Sequence, residues 1–365
     1  MSITIEVNGD QYENFLSASV NIRLDALTNT FAFTTTSQKK NPLPFLGGEP
    51  CKIFVDGEVV LTGFIEVVTV NYDTESHTIA VMGRDKTGDL LDSTLDKVQD
   101  ITSTVTLKQL IEKVLTSSKL SNIKVVQADG LLIEPFNPAE DKMNPEPGKS
   151  IFDFIEKYAR KRQVLLTSNG DADIVITQSS GVVIPDTIQN IISSDQNNVL
   201  VSSVSYDTTG RFNTYKFVSS LSPIAANIAG VLDLESLVSQ SGGTTDPEIR
   251  ASRQMILIAE TSSSDGQNNK RSQWEANIRK ARGRVYSAKV KGFRNTSGDL
   301  WQINNLVSVV DDFCGINSQM LINTVSFNVD LNGGNTTTMS LLNKNAYTLS
   351  IAEPKNNEVG LGLFG

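Results

Sequence analysis

Residues 51–66 read Cys-Lys-Ile-Phe-Val-Asp-Gly-Glu-Val-Val-Leu-Thr-Gly-Phe-Ile-Glu, and this stretch decides the fold class. The dipeptide Asp56-Gly57 favours a tight hairpin turn, and apolar, largely β-branched residues stand on both sides of it. Similar strand signals fill residues 3 to about 95 and are separated by turn residues such as Asn8-Gly9. Many short strands joined by tight turns predict a small, closed or nearly closed β-barrel.

The pattern changes after Gly83. Thr106 and Ser150 each stand before apolar residues at helical spacing, which predicts two helices with capped N-termini. Two short strand signals then flank the turn residues 169–171. This part of the chain is therefore expected to form a separate, small α+β domain.

Strand signals return at Asn198 and dominate from Val285 to Tyr347, with a helix expected from about Ser272 to Arg284 between them. The expected fold is mainly β with α+β inserts: two β-barrel domains per chain plus smaller α+β domains. The expected divisions are residues 1–95 (first barrel), 96–197 (α+β insert), 198–221 with 285–350 (second barrel), 222–284 (small insertion with a basic helix) and 351–365 (C-terminal tail).

The composition limits the function classes. The chain has 365 residues and a formal net charge of −9, which argues against a surface that binds nucleic acid through its phosphates. An acidic balance is compatible with a wall that DNA passes without sticking, because like charges repel, and it is equally compatible with ordinary solubility. There is no signal peptide and no apolar run of about 20 residues. We therefore expect no membrane span, folding in the cytosol, and reduced thiols at Cys51 and Cys314.

Sequence motifs for catalysis are absent. The chain has no P-loop, no GxSxG elbow, no dinucleotide fingerprint and no zinc-ligand spacing. Its single histidine, His77, lies in a turn-rich context that favours an ordinary surface residue. The adjacent carboxylates Asp311 and Asp312 would point to opposite faces of a strand and so would not share a substrate atom. We expect no catalytic residue, no cofactor and no metal.

A basic helix over residues 271–284 is the most cationic segment of the chain. Its candidate interface residues are Arg271, Trp274, Arg279 and Arg282. They would contact acidic partner surfaces, or the helix is simply an amphipathic helix with a solvated basic face. The acidic loop 134–147 is open to the same two interpretations.

Three segments together resemble one known family. The first comprises Leu61-Thr-Gly-Phe-Ile-Glu, Val70-Asn-Tyr-Asp and the run from His77 to Asp92 with its Gly83-Arg84-Asp85. The second is the basic helix followed by Gly298-Asp-Leu-Trp, and the third is the closing pair of strands from Leu321 to Leu342. In this order they resemble the baseplate hub proteins of Mu-like contractile phage tails, a family that includes the late control D proteins. The resemblance covers nearly the whole chain, except the residues after Glu353.

The resemblance implies a structural protein of the virion tail baseplate, assembled in the host cytoplasm. In that family two tube-type β-barrels per chain build a trimeric ring of quasi-sixfold symmetry, which joins the sixfold tail tube to the threefold central spike. The implied partners are two further copies of the chain (a homotrimer), the tail tube protein, the central spike protein and baseplate wedge proteins. DNA would pass through the lumen of the ring without specific binding.

Two further groups are candidate interface residues. Gly83, Arg84 and Asp85 end a predicted strand and would orient the first insert, or they form a turn with a local ion pair. Leu361, Leu363 and Phe364 are apolar residues in a tail that would dock on a neighbouring chain or the spike, or stay disordered. Trp301 is expected to pack in the second barrel.

Three other functions remain open from the sequence. One is a distal-tail or hub adaptor of a non-contractile tail or of a contractile injection particle, which would share the barrels. Another is a tail-associated cell-wall hydrolase, although hub-like segments leave little room for a hydrolase domain. The third is a carbohydrate-binding β-protein, which would show clustered aromatic residues, whereas the two Trp and seven Tyr are scattered.

Overall fold

The computed structural model describes residues 2–36, 46–74, 77–95, 103–137, 143–146, 148–220, 238–259, 265–331 and 333–348. The strands are β1 Ile3–Val7, β2 Asp10–Tyr12, β3 Ser17–Arg23, β4 Thr30–Thr35, β5 Pro50–Val55, β6 Glu58–Tyr72, β7 His77–Asp85, β8 Val125–Gln127, β9 Leu165–Ser168, β10 Ile174–Thr177, β11 Val183–Asn190, β12 Val199–Tyr206, β13 Thr214–Ser220, β14 Val238–Thr245, β15 Gln254–Ala259, β16 Arg284–Lys291, β17 Leu306–Asp311, β18 Ile316–Asp330 and β19 Gly334–Asn343. The helices are α1 Gly88–Asp92, α2 Leu107–Ser117, α3 Ile151–Lys161 and α4 Asp265–Arg282. The chain is mainly β with α+β inserts, as expected.

One large sheet of 13 strands contains strands from both the N-terminal and the C-terminal parts of the described chain. Its hydrogen-bonded order is β12-β16-β19-β18-β3-β4-β7-β6-β5-β1-β2. Two further strands lie off this path: β17 pairs with β18 on one side and with β11 on the other. The hairpin around Asp56-Gly57 is present as β5 and β6, and both turn residues have positive φ, as this turn type requires. N-terminal and C-terminal strands thus share one hydrogen-bonded surface.

The core of the large sheet follows from the alternation of apolar residues. Along β18, Val325 and Phe327 are buried while Ser326 and Asn328 are only half-buried, which is the pattern of a strand with one face on a core. Phe327 packs edge-to-face on Phe293, with ring centroids 5.7 Å apart. Trp301 belongs to the same core, which confirms that it packs inside rather than on the surface.

The two helices expected in the α+β insert begin where the sequence indicated. Thr106 and Ser150 each form a capping box: the side-chain oxygen accepts a bond from the backbone N–H three residues later, and the cap's own backbone N–H donates to the side chain of that residue. Helices α2 and α3 bury their apolar stripes in a core that also includes residues of the small sheet β8-β10-β9. Tyr158 is fully buried there against Phe136 and Phe154.

The structure assigns two strands differently from the sequence analysis. β11, inside the expected insert 96–197, pairs in parallel with β17 of the large sheet. β13, inside the expected second barrel at 198–221, instead lies between β14 and β15 in a separate three-stranded sheet. Alternation predicts that a segment is a strand, but it does not identify the strand's partner. Helix α4 also begins earlier than expected, because its first turns, rich in Gly, Gln and Asn, carry no apolar periodicity.

Both cysteines are free thiols; Cys51 is buried and Cys314 is half-buried. None of the helices in the described ranges is both long enough and apolar enough to cross a membrane.

Candidate functional site: strand edges and domain junctions

The large sheet contains the same arrangement of six strands twice. The first unit has the hydrogen-bonded order β3-β4-β7-β6-β5-β1, and the second unit has the order β12-β16-β19-β18-β17-β11. The six strands also follow one another along the chain in the same sequence in both units. Neighbouring strands are antiparallel throughout, except that β11 and β17 are parallel where β1 and β5 are antiparallel. The chain therefore carries an internal duplication that the amino-acid sequence does not display as a repeat.

The long strands β6 and β18 show the correspondence in detail. Each has 15 residues. The first part of β6 pairs with β5, as the first part of β18 pairs with β17. The later part of β6 pairs with β7, as the later part of β18 pairs with β19. Each is interrupted by a bulge against the following strand, between Ile65 and Val67 in β6 and between Ile322 and Thr324 in β18. The bulges identify Val67 as the counterpart of Thr324.

One ladder joins the two units. Residues 324–330 of β18 pair antiparallel with residues 17–23 of β3, with Val20 directly opposite Phe327. A second contact lies nearby, where Arg294 pairs with Asp56 at 3.3 Å and with Glu58 at 2.8 Å. Arg294 follows β16 of the second unit; Asp56 lies in the turn between β5 and β6 of the first unit, and Glu58 begins β6. Sheet pairing and ion pairs together hold the units side by side.

Among the strand edges that have no ladder partner within the described residues are one edge of β6 and one edge of β12. Beyond its pairing with β5, β6 leaves one side of residues 66–72 open, and β12 pairs with β16 on one side only. Val67, Tyr72 and Val201 on these edges are 44%, 80% and 61% exposed. Apart from Glu66, which pairs with Arg84, residues 66–72 and 199–206 contain no charged side chain. Monomeric proteins commonly protect an edge strand with charges or proline, so these edges have the character of pairing surfaces.

Gly83 and Arg84 end β7 with local contacts. A Cβ at Gly83 would lie 2.1 Å from the Phe64 carbonyl oxygen and 2.5 Å from the Phe31 ring, so this position admits no side chain. The Arg84 guanidinium pairs with Glu66 at 2.6 Å and also with Asp92. These hydrogen bonds to two carboxylates raise the pKa of Arg84 above its ordinary value. Arg84 therefore forms the local ion pair that was one of the two expectations.

Asp85 connects the first unit to the insert. Its carboxylate is 2% exposed; Oδ2 accepts bonds from the Asn29 backbone N–H at 2.9 Å and the Ser168 hydroxyl at 2.5 Å. Oδ1 accepts from the Thr87 N–H at 3.1 Å and the Thr87 hydroxyl at 2.5 Å. Burial raises the pKa of Asp85, and these hydrogen bonds only partly oppose the shift. Because Ser168 ends β9, Asp85 makes the contact with the insert that was the other expectation.

The sequence analysis missed the partners of Asp85. Asn29 and Ser168 lie far apart in sequence and carry no motif, yet the Asn29 side chain also donates to the Ser168 Oγ at 2.9 Å. Gly170 continues this junction: its carbonyl accepts from the Thr62 hydroxyl at 2.8 Å, and a Cβ there would lie 2.4 Å from the Val59 carbonyl oxygen. The Asn169-Gly170 pair was the only signal, and it indicated a turn rather than a domain contact.

Asp311 plays a comparable structural role in the second unit. Its carboxylate accepts hydrogen bonds from the Tyr286 hydroxyl at 2.8 Å, the Asn190 amide at 3.1 Å, the Ser202 hydroxyl at 3.2 Å and the Cys314 N–H at 2.8 Å. Burial alone would raise the pKa of Asp311, but the donors outweigh it and hold that pKa below its ordinary value. The network ties β11, β12, β16 and β17 together. Among the described residues, no group of three His, Cys, Asp or Glu side chains is placed to hold a metal ion.

Comparison with known proteins gives three family-model matches in chain order. Residues 2–85 match the N-terminal domain of Mu phage baseplate assembly protein GpP-like proteins, and residues 87–178 match the second domain of gp44-like baseplate hub proteins. Residues 264–350 match the fourth domain of Mu phage baseplate assembly protein GpP. The chain belongs to the Mu-like baseplate hub family.

Individual relatives agree over almost the full length. The baseplate hub protein gp44 of Escherichia phage Mu is 21% identical over 361 residues, covering 98% of this chain and 92% of that protein. The 43 kDa tail protein of prophage MuSo2 from Shewanella oneidensis is 25% identical, with a TM-score of 0.76 and coverage of 95% and 99%. The tail protein of Neisseria meningitidis MC58 has the same fold, at 19% identity, a TM-score of 0.76 and coverage of 94% and 97%. The chain is thus a baseplate hub protein of Mu-like phage tails and a component of the virion tail.

The matched segments of the hub protein correspond to structural parts. The first covers the strands of the first unit, the second covers the α+β insert, and the third covers α4 with β16–β19. The strands β11 and β12, together with the small sheet β13–β15, lie between the second and third matches.

The basic helix α4 of the hub protein directs most of its named side chains toward its own chain. Trp274 is buried, and the Arg271 guanidinium lies 5.0 Å from the Trp274 ring. Arg279 donates to Glu275 at 2.7 Å, and Arg282 pairs with Asp25 at 3.2 Å while its side chain remains 55% exposed. Of the candidates on α4, Arg282 has the most accessible charge.

The remaining candidates divide by location. Leu361, Leu363 and Phe364 lie outside the described residues. The described parts of the acidic loop pair with α3 and its C-cap. Arg162 donates to the carbonyl oxygens of Glu134 and Pro135 at 2.8 and 2.7 Å, and Lys157 pairs with Glu146 at 3.2 Å.

Proposed function

We propose that three copies of this hub protein form a ring that joins the sixfold tail tube of a contractile phage tail to its threefold central spike. The duplicated six-strand unit is the observation that carries this proposal, because three chains with two units each supply six similar positions. Closed cyclic symmetry is the usual arrangement of a protein that assembles with itself. We further propose that the first and last strands in the hydrogen-bonded order of each unit come together, so that each unit forms a tube-type β-barrel.

The symmetry mismatch explains why the two units differ outside their shared strands. The six similar sheet units would face the tube. The α+β insert follows the first unit, while the small sheet with α4 interrupts the second, so each insertion occurs three times per ring. We propose that this alternation presents threefold surfaces to the spike and to baseplate wedge proteins. Arg282 and the tail residues Leu361, Leu363 and Phe364 are the proposed contacts with these partners.

The ring would also form part of the channel for DNA ejection. The net charge of −9 supports a channel that DNA crosses without specific binding, since acidic surfaces repel the phosphate backbone. We propose that the protein acts without catalysis. Its two buried carboxylates with shifted pKa values, Asp85 and Asp311, are each enclosed by four hydrogen-bond donors from the protein itself. Such groups connect strands and leave no carboxylate oxygen for a substrate.

The solution mass of the purified protein tests the ring. Light scattering should give about 119 kDa, three times the mass of the 39.7 kDa chain, and electron microscopy of that species should show a threefold ring. A monomer that persists at high concentration, both alone and with the central spike protein added, would contradict the proposal. Clearing of purified peptidoglycan by the protein would contradict the proposed absence of catalysis.

A further inference from the structure

The strands β3 and β12 occupy equivalent places in the two units, and the ladders identify which residues correspond. In the first unit Val20 lies opposite Phe31, and Phe31 lies opposite Gly83. In the second unit Val204 lies opposite Tyr286, and Tyr286 lies opposite Leu341. Gly83 and Leu341 correspond, because each pairs with the residue directly before the bulge of its long strand. Val204 is therefore the counterpart of Val20.

The same reasoning applies to the long strands. Val70 lies three residues beyond Val67, and Phe327 lies three residues beyond Thr324, the counterpart of Val67. Val70 is therefore the counterpart of Phe327. Within the chain, Val20 of the first unit pairs with Phe327 of the second. The counterparts Val204 and Val70 lie on edges of β12 and β6 that have no ladder partner among the described strands.

We propose that β12 of one subunit pairs antiparallel with residues 67–72 of β6 in the next subunit, in the register that places Val204 opposite Val70. This inference rests on the proposed ring and names the surface that closes it. Each chain would then offer one edge of each kind, so that the contact is head-to-tail and repeats around the ring. In this register Asn71 lies opposite Ser203, and Thr69 lies opposite Ser205.

Burial supports this pairing. In the ladder already formed within the chain, Val20, Val325 and Phe327 are at most 1% exposed. Their counterparts Val204, Val68 and Val70 are only half-buried, although they pack against the same core. A strand added along each open edge would complete the burial of these side chains, just as β18 and β3 bury one another.

The composition of the two edges supports it as well. Residues 67–72 read Val-Val-Thr-Val-Asn-Tyr and residues 199–206 read Val-Leu-Val-Ser-Ser-Val-Ser-Tyr. Both segments are rich in β-branched and aromatic residues, which favour strand pairing. Neither contains a charge or a proline that would block the addition of a strand. A second copy of this chain supplies the matching edge in the matching register.

Engineered disulfides test the register directly. In the double variant Asn71→Cys with Ser203→Cys, the two cysteines would face each other across the junction between subunits. Residues directly opposite in an antiparallel pair have Cβ atoms about 4.5–5.5 Å apart, close enough for a disulfide after a small adjustment. The matched control, Asn71→Cys with Val201→Cys, moves one cysteine two residues along the same face, where diagonal neighbours lie about 7–8 Å apart. Each single-cysteine variant is a further control, since position 71 never meets position 71 of another copy in a head-to-tail contact.

The experiment has distinct outcomes when light scattering and denaturing gels are combined, with and without the central spike protein. We expect a three-chain particle. After oxidation, the Asn71→Cys/Ser203→Cys variant should run as covalently linked chains, and the Asn71→Cys/Val201→Cys control should stay unlinked. A three-chain particle in which the in-register pair fails to link overturns the inference and leaves the ring intact. A monomer under both conditions, with no linkage, overturns the ring and the inference together.

Discussion

Ser326 donates a hydrogen bond of 2.5 Å to the side-chain oxygen of Asn21, although the two residues lie 305 positions apart in the chain. The bond spans the ladder between β18 and β3, the hydrogen-bonded connection between the first and second sheet units. A contact of such long range closes a long loop, and the ladder must offset the loss of chain entropy that this closure costs. The ladder therefore contributes, together with the ion pairs of Arg294, to holding the two units as one body.

Shortening Phe327 should weaken the ladder. Phe327 is 1% exposed and packs on Phe293, so Phe327→Ala leaves a cavity and should lower the free energy of unfolding by about 3–5 kcal/mol. Denaturant titration followed by tryptophan fluorescence measures this. Leu132→Ala, at a side chain that is 96% exposed, is the control and should change the midpoint little. Equal midpoints for the two variants would contradict the role assigned to Phe327.

Replacing Asp85 by asparagine should loosen the α+β insert. Each oxygen of Asp85 accepts a backbone N–H, from Thr87 or from Asn29, so either orientation of an amide places its NH2 group against a donor. An unpaired buried donor costs about 1–3 kcal/mol. Limited proteolysis of Asp85→Asn should therefore cut between the first unit and the insert sooner than in the unmodified protein. Asp92→Asn, which alters an exposed ion pair, should cost about 1 kcal/mol or less; cleavage at the same rate in both variants would argue against this assignment.

Gly83 should tolerate no side chain. In Gly83→Ala the new Cβ would overlap the Phe64 carbonyl oxygen and the Phe31 ring, both of which belong to packed strands. Overpacking of this kind costs about 1–3 kcal/mol or more. Gly210→Ala is the matched control, because no atom lies within 4 Å of a Cβ there. Thermal unfolding of both variants is the measurement, and similar melting temperatures would show that β7 shifts to accommodate the methyl group.

The network around Asp311 should give the protein an acid-labile component of stability. The pKa of Asp311 is lowered in the folded state, so the folded protein binds fewer protons there than the unfolded chain does. The resulting stability is present above the ordinary pKa of about 3.8 and is lost as the pH falls through the lower folded value. Unfolding free energies between pH 2 and pH 7 should therefore depend less on pH in Asp311→Asn. Tyr286→Phe removes a single donor and should show a smaller change of the same sign; an unchanged pH dependence in Asp311→Asn would refute the prediction.

Like charges on the proposed subunit edges should oppose assembly. Asn71→Lys with Ser203→Lys places two cations opposite each other and should destabilise every junction by about 0.2–1 kcal/mol. Sedimentation should therefore show that the particle of this variant dissociates at a higher protein concentration than the unmodified particle does. Asn71→Lys with Ser203→Asp creates opposite charges at the same positions and should restore assembly. If the two variants dissociate alike, β12 and β6 do not face each other in this register.

Several features could be predicted from the sequence because their causes are local. The caps of α2 and α3 depend on residues three positions apart, Thr106 with Gln109 and Ser150 with Asp153. The hairpin at Asp56-Gly57 depends on the positive φ that these residues adopt readily. The ordered set of segments that indicated the hub family also lies along the chain, and the three family matches confirm it.

The candidate site could be predicted only in part. For Gly83-Arg84-Asp85 the sequence left a junction with the insert and a local ion pair both open; Asp85 contacts the insert, and its partners Asn29 and Ser168 carry no local signal. For the arginines of α4 it left a partner surface and a solvated basic face open; Arg279 and Arg282 pair with acids of their own chain, and a contact with a partner stays a prediction. A charge pattern shows which residues are polar, but it does not show which surface they meet.

The sequence by itself determined the local elements, the mainly β class and the family. Only the tertiary structure decided which strands pair: that β3 joins β18, that β11 joins β17, that β13 lies outside the large sheet, and that β6 and β12 each leave an edge open. The physical reason is that alternation fixes which face of a strand is apolar, whereas the backbone groups that choose a neighbour are the same in every residue except proline.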